Sequence, residues 1–366
     1  MKSRQVSPRV RAAYGAAMGQ PFVDRAVDLP EVLAAWDIRP DAVHEPPPGT
    51  NNLTRLIEAH GRRYVLRVTR NLTADQTQAE AVLRATIAAT RPGISVPEPI
   101  PTTDGIYTST TDSGVATLSA FLTGIRPDLG TESALFAFGE ACGRLLAVMA
   151  ALPHHLMVHD WTGGPLPLLG RGSTGDLAGD LASDLAQAGA PAAAVAALMA
   201  GVTEVMTGHQ RLVEGLPVQL VHGDHAAGNA LVDRDLAAGG RVTAILDFEV
   251  SGLEWRVNDL VAALAQTPAL DSPGFTRALV AGFLVHTDLN ERELDAVPDL
   301  LVERALGTIL WRAAAWRRGD VGVDQVAERL QRLVETRAFV RDHRADLQSM
   351  LRDPGPGAGR SAGADQ

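Results

Sequence analysis

His222-Gly223-Asp224-His225-Ala226-Ala227-Gly228-Asn229, followed one strand pair later by Asp247-Phe248-Glu249, is the stretch that decides how this chain is read. A carboxylate stands at Asp224, a side-chain amide at Asn229, and a second carboxylate at Asp247, where the apolar run Val242 to Leu246 ends. The segments Leu220-Val221, Ala230 to Asp233 and Arg241 to Leu246 have the composition of short strands. The order carboxylate, amide, strand, turn, strand, carboxylate is what two strands carrying one metal site require. An Asn carbonyl and an Asp carboxylate are both hard oxygen donors suited to a divalent cation. His225 has no second ligand at helical spacing and reads as a loop side chain rather than a zinc ligand.

Phosphoryl transfer to a hydroxyl needs a carboxylate near the acceptor, oxygen ligands for Mg²⁺, and close placement of both. Asp224 can accept or orient the acceptor proton, Asn229 can offer its amide oxygen, and Asp247 can bridge the metal to nucleotide phosphates. Each residue alone has an ordinary explanation as a turn or strand-end group. Their joint spacing carries the reading.

On these residues the chain resembles the aminoglycoside phosphotransferase and choline/homoserine kinase superfamily, whose H-G-D-x-x-x-x-N and D-F/W-x segments are similar to those of protein kinases with Gly in place of Arg. The resemblance implies an α+β, protein-kinase-like fold with a small antiparallel-sheet N-lobe and a larger helical C-lobe. It implies ATP and Mg²⁺ as cofactors, Asp224 as catalytic base, and Asn229 and Asp247 as metal ligands. It also implies that His222 supports the catalytic loop, and that Asp259, in Val257-Asn258-Asp259-Leu260, hydrogen-bonds back to it from a helix start.

Outward from this segment, Leu53 to Glu58 and Arg63 to Thr69 alternate as two strands around a His60-Gly61 turn. The resemblance places a phosphate-covering loop before them at Gly49-Thr50-Asn51-Asn52, where small polar residues let backbone approach an anion. It puts Arg67 in the position of the family's lysine. The only lysine in the chain is Lys2, so an always-charged guanidinium takes that role with a different geometry. Glu80, on a helix predicted over 74–89, is the expected partner of Arg67, with Arg84 a competitor for it. Ser119 to Gly124 resembles the hinge that bonds adenine, with Ser119 and Phe121 as its contact positions. Glu249 and Glu254 follow the metal segment and are candidate acceptor contacts. His154, His155, His159, Asp160 and Trp161 form one polar-aromatic cluster, and Trp311, Arg312, Trp316 and Arg317 another. Helix packing is the leading explanation of the second.

Helices are expected over roughly 131–151, 180–213, 255–266, 273–284, 291–318 and 322–348, with a short one from Leu29 to Ile38 and an irregular loop from Gly163 to Gly175. The boundaries that follow are an arm at 1–25, an N-lobe at 26–122, a helical lobe at 123–348 and a Gly/Ala/Pro-rich tail at 349–366. Hydrophobic residues at 46% and charged residues at 21% of 366 describe a globular chain. A net charge of −10 argues against nucleic acid or an anionic membrane as partner. No apolar run reaches membrane-spanning length and no signal core follows the basic start, so the cytoplasm is expected. Lone Cys142 cannot form an internal disulfide. The partner is then a small-molecule hydroxyl acceptor, and the oligomeric state is left open. Three functions compete: phosphorylation of an amino-bearing molecule of antibiotic type, a homoserine or other metabolic kinase, and a nucleotide-binding pseudokinase.

Overall fold

The hairpin around His60-Gly61 sets the first sheet. Both turn residues have positive φ, 52° and 71°, the pairing that matches the twist of adjacent strands in a two-residue connection. The computed structural model describes residues 27–45, 52–69, 72–162, 174–189, 191–318 and 321–355. The expected arm at 1–25 and the last residues of the tail lie outside them. Helix α1 (Leu29–Ala34) precedes strands β1 (Ala42–His44), β2 (Leu53–Ala59) and β3 (Arg62–Thr69). Helix α2 (Ala74–Ala89) leads to β4 (Thr108–Thr111) and β5 (Gly114–Ala120). The five strands form one antiparallel sheet in the order β1-β2-β3-β5-β4. Ile57, Leu66, Val68, Ala116 and Leu118 point to one face of it and close over Val32, Leu33 and Trp36.

Helix α2 starts at a capping box in which Thr73 and Gln76 satisfy each other's backbone amides. Its buried residues include Leu83 and Ile87 but also Glu80 and Arg84. Two charges on a buried helix face cost stability unless they are paired, so this face marks the site before any ligand is considered.

Helix α3 (Glu132–Ala150) is followed by β6 (His159–Asp160), α4 (Thr174–Gln187), α5 (Ala192–Val213), and β7 (Val218–Val221). Next come β8 (Ala230–Val232), β9 (Val242–Ile245), β10 (Gly252–Trp255), α6 (Val257–Ala265) and α7 (Pro273–Phe283). The chain ends in α8 (Glu291–Arg318) and α9 (Val323–Arg352). Strands β8 and β9 pair antiparallel; β10 lies between β6, parallel, and β7, antiparallel.

Helix α3 has the length and apolar composition of a membrane span, which the sequence reading did not expect. One face of it, with Leu135, Phe138, Cys142, Leu145, Leu146 and Met149, is buried, and it packs on α7 at backbone distance. A Cβ on Gly139 would stand 2.2 Å from the Leu279 carbonyl oxygen, and one on Gly143 2.2 Å from that of Phe283. It is a core helix whose glycines admit its neighbour.

The expected helix 180–213 is two helices. Gly189, with φ of 89°, and Pro191, at the N-cap of α5, separate them. Thr174 and Gly175, expected in a loop, open α4, while 163–173 lie outside the described residues.

The chain forms two compact units. One is built mainly from Asp24–Asp160 and Pro217–Asn290 and holds both halves of the candidate site. The other is built mainly from Trp161–Leu216 and Glu291–Ser349. In it, His209 pairs with Glu303 at 2.9 Å, Arg317 with Asp184 at 2.6 Å, and Arg344 with Asp299, joining α4, α5, α8 and α9. The lobe boundary expected near 122 is a boundary by sequence; this division by compactness follows different lines.

Candidate active site

Strand β7 delivers His222-Gly223-Asp224 to its C-terminal end. Gly223 has φ of +80°, and a Cβ there would meet the Val250 carbonyl oxygen at 3.3 Å. A side chain is therefore disfavoured at the centre of the motif. The backbone amides of His222 and Gly223 donate to the Asp259 carboxylate at 3.2 and 2.7 Å. Asp259 lies in the first turn of α6, where the helix dipole also favours a negative charge.

His225 Nε2 lies 3.2 Å from Asp259 Oδ2 in a completely buried ion pair. Burial disfavours a charged imidazole, but Cys142 and Asp259 outweigh it and push His225 up to about 10. His225 and the Gly223 amide in turn hold the Asp259 carboxyl below its ordinary range despite burial. His222 stacks on His225 with ring centroids 4.7 Å apart. Burial and that neighbouring charge push His222 down to about 4. A neutral ring suits its contacts: Nε2–H donates to the Leu246 carbonyl at 3.0 Å, and Nδ1 accepts the Asp224 amide at 3.2 Å. His222 thus ties the loop to the strand end just before Asp247, while Phe248 meets its ring edge-on at 4.7 Å.

The Asn229 amide nitrogen donates to Asp224 Oδ2 at 2.7 Å and to the Asp224 carbonyl at 3.0 Å. Its carbonyl oxygen is therefore the atom with lone pairs to offer a cation. Gln266, which the sequence reading did not single out, donates to Asp224 Oδ1 at 2.8 Å. Nothing local in the sequence points to it, since it acts across 42 positions.

Strand β3 presents Arg67, which forms a close ion pair with Glu80 and stands 3.3 Å from Asp247 Oδ1. Arg84 does not displace Arg67. It approaches the other Glu80 oxygen at 3.5 Å and donates to the Pro97 carbonyl and the Ser119 hydroxyl. Asp247 has φ of 65°, a left-handed conformation that Asp tolerates better than most residues. Burial, then the charges of Glu249, Glu80 and Asp224, push its carboxyl up to about 7 against the pull of Arg67.

Glu249 is buried and accepts the Asn52 amide at 2.8 Å. Its carbonyl accepts His159 Nε2–H at 2.9 Å, and His159 Nδ1 faces the Gln76 amide at 3.4 Å. His159, read from sequence only as part of a polar cluster, therefore joins the Asp247-Phe248-Glu249 segment to the first turn of α2, one turn before Glu80.

Other expected residues fall elsewhere. Ser119 is buried in the sheet against Arg84. The Phe121 amide donates to the Arg63 carbonyl at 3.2 Å, and the Arg63 guanidinium lies 4.2 Å over its ring. Glu254, on β10, accepts the Asn258 amide at 2.5 Å. Gly49, Thr50 and Asn51 lie outside the described residues. Trp311, Arg312, Trp316 and Arg317 lie on α8, where Arg317 pairs with Asp184. Among the described residues, no three His, Cys, Asp or Glu side chains form a ready-made metal cluster. The available donor set is instead Asp247 with the Asn229 amide oxygen, all-oxygen and hard.

The phosphotransferase enzyme family (APH) matches residues 43–297, whereas no curated protein matches the sequence. Among solved structures, an aminoglycoside phosphotransferase from Alicyclobacillus acidocaldarius is 14% identical with a TM-score of 0.61, over 90% of this chain and 98% of its own. A microcompartment-associated aminopropanol kinase is 17% identical with a TM-score of 0.60, over 88% and 98%. An amicoumacin kinase solved with AMP-PNP, Ca²⁺ and its ligand is 15% identical with a TM-score of 0.61, over 91% and 96%. The shared architecture is the α+β, protein-kinase-like fold.

Proposed function

The chain belongs to the phosphotransferase enzyme family, and from that premise we propose that it transfers the γ-phosphoryl group of ATP to a hydroxyl of a small, amino-bearing molecule. One observation carries the reading. His222 bridges the Asp224 amide and the Leu246 carbonyl while Arg67 reaches Asp247, so acceptor, metal and phosphate groups belong to one hydrogen-bonded assembly.

Asp224 orients the attacking hydroxyl and receives its proton as the oxygen bonds to phosphorus and the ADP oxygen leaves. Arg67 supplies fixed positive charge toward the phosphates and is itself aimed by Glu80. Asp247 and the Asn229 amide oxygen would hold Mg²⁺, which neutralises charge between the phosphates when bound. The donor set fits a divalent cation, because Asp247 stands among like charges that a cation would offset. Asn52 and the preceding Gly49 to Asn51 would cover the phosphates, and strand-end groups beyond Phe121 would meet the base.

Solved kinases of this fold are named for aminoglycosides and for aminopropanol, and a chain with net charge −10 suits a cationic acceptor. Homoserine and other metabolic alcohols are the competing acceptors. The test is nucleoside diphosphate release from Mg·ATP and Mg·GTP against amino alcohols, homoserine, aminoglycosides and macrolides. Stimulation by an amine-bearing alcohol supports the proposal. Nucleotide binding without stimulation by any hydroxyl compound would favour the pseudokinase reading.

A further inference from the structure

We propose that Gln266 is a positioning residue for Asp224, and that α6 acts as a splint gripping the catalytic loop at both of its ends. The inference rests on the reading of Asp224 given above. At the start of the helix, Asp259 accepts the amides of His222 and Gly223. At its end, Gln266 donates to Asp224 Oδ1 at 2.8 Å. The two side chains are set on one rigid body, about 10 Å apart along its axis at 1.5 Å per residue.

The helix is a firm support. Val257, Leu260, Val261, Ala262, Ala263 and Leu264 are all buried. The Gln266 amide closes the last turn on the Ala262 carbonyl at 3.1 Å, and the Thr267 hydroxyl bonds the Ala263 carbonyl at 2.8 Å. Gln266 is therefore placed by the helix end, not by a flexible loop.

Its chemistry suits the task. Asp224 receives one amide N–H on each oxygen, from Asn229 on Oδ2 and Gln266 on Oδ1. Two donors on opposite oxygens fix the rotation of the carboxylate. Both of these donors are neutral amides. Asn229 is tied to the loop itself, whereas Gln266 brings the reference frame of the helix.

The experiment uses the full chain with Mg·ATP, water serving as the acceptor that Asp224 must orient, in single-turnover hydrolysis. Gln266→Leu and Gln266→Glu are compared with wild type and with Asp224→Ala, alone and combined. Both Gln266 variants are expected to hydrolyse ATP about 10- to 100-fold more slowly, the size of effect that a misplaced catalytic group produces. The affinity for a fluorescent ATP analogue should stay at the wild-type value, and Gln266→Leu should stay folded with at most a small drop in melting temperature. Leu removes the donor outright, so wild-type activity in Gln266→Leu would overturn the proposal. In the Asp224→Ala background, Gln266→Leu should add no further loss; additive losses would overturn it as well. If Asp224→Ala alone leaves hydrolysis unchanged, the functional reading fails and this inference with it. If Asp224→Ala is impaired and both Gln266 variants are not, only this inference fails.

Discussion

Asp224 and Asp247 are two carboxylates of one site, held in opposite ways. Asp224 rests on the neutral amides of Asn229 and Gln266. Asp247 sits on a left-handed backbone beside one guanidinium, with Glu249, Glu80 and Asp224 pressing on it, and its carboxyl is pushed up to about 7. Neutral donors fix a carboxylate's direction and leave its charge available. Like charges raise the energy of a carboxylate until a cation offsets them. The first arrangement suits a group that handles a proton, and the second suits a group that handles a metal.

Asp247→Asn should have the largest effect and is expected to be two-sided. Turnover should fall on the order of 10³-fold with the loss of a metal ligand. The metal-free protein should melt higher, because a carboxyl raised from its ordinary 3.8 to about 7 opposes folding at neutral pH when ionised. A lower melting temperature, measured in a chelator, would contradict the crowding described for this side.

Asp259→Ala tests the support beneath the Asp224 side. It leaves a buried imidazolium and two backbone amides without their carboxylate, and denaturant unfolding should show a loss of about 3–5 kcal/mol. A loss below about 1 kcal/mol would mean that the loop holds itself.

Arg67→Lys keeps the charge and gives up the planar fork that contacts Glu80 and Asp247 together. Nucleotide affinity, measured calorimetrically, should weaken about tenfold. An unchanged or tighter affinity would show that the lysine geometry serves this site as well.

Asp224→Asn sets an amide against two amide donors. Removing one good acceptor should lower stability by about 1 kcal/mol. Its sign should be opposite to that of Asp247→Asn, and equal signs would erase the contrast between the two carboxylates.

The mildest perturbation is pH. His222, depressed to about 4, contributes stability that is full above its ordinary 6.5 and lost as pH falls toward 4. His225, raised to about 10, contributes stability that is full below 6.5 and lost as pH rises toward 10. Melting temperature should peak near neutrality and fall on both sides. A curve that still rises between pH 7 and 9.5 would reverse the assignment of charge to His225.

Much of this site was legible where the chemistry is local. The loop from His222 to Asn229, the strand ending at Asp247 and the hairpin bearing Arg67 all carry periodic or turn signals within a few residues. Gln266 and His159 were not, because each acquires its role from a distant partner. The short strands β6 and β10 were missed because two to four residues hold no period. The break between α4 and α5 was written at Gly189 and Pro191, but the apolar spacing on both sides masked it. Ser119, expected by position as a hinge contact, lies on β5, which runs to Ala120, and accepts a hydrogen bond from Arg84 that no local pattern signals.

The most direct test of the central claim measures Asp224→Ala twice: affinity for Mg·ATP, and the single-turnover rate of γ-phosphoryl transfer to the best acceptor from the panel. The account predicts nucleotide affinity within about threefold of wild type and transfer slowed about 10²–10⁴-fold, the range of a lost acid–base group. Transfer at the wild-type rate would contradict it.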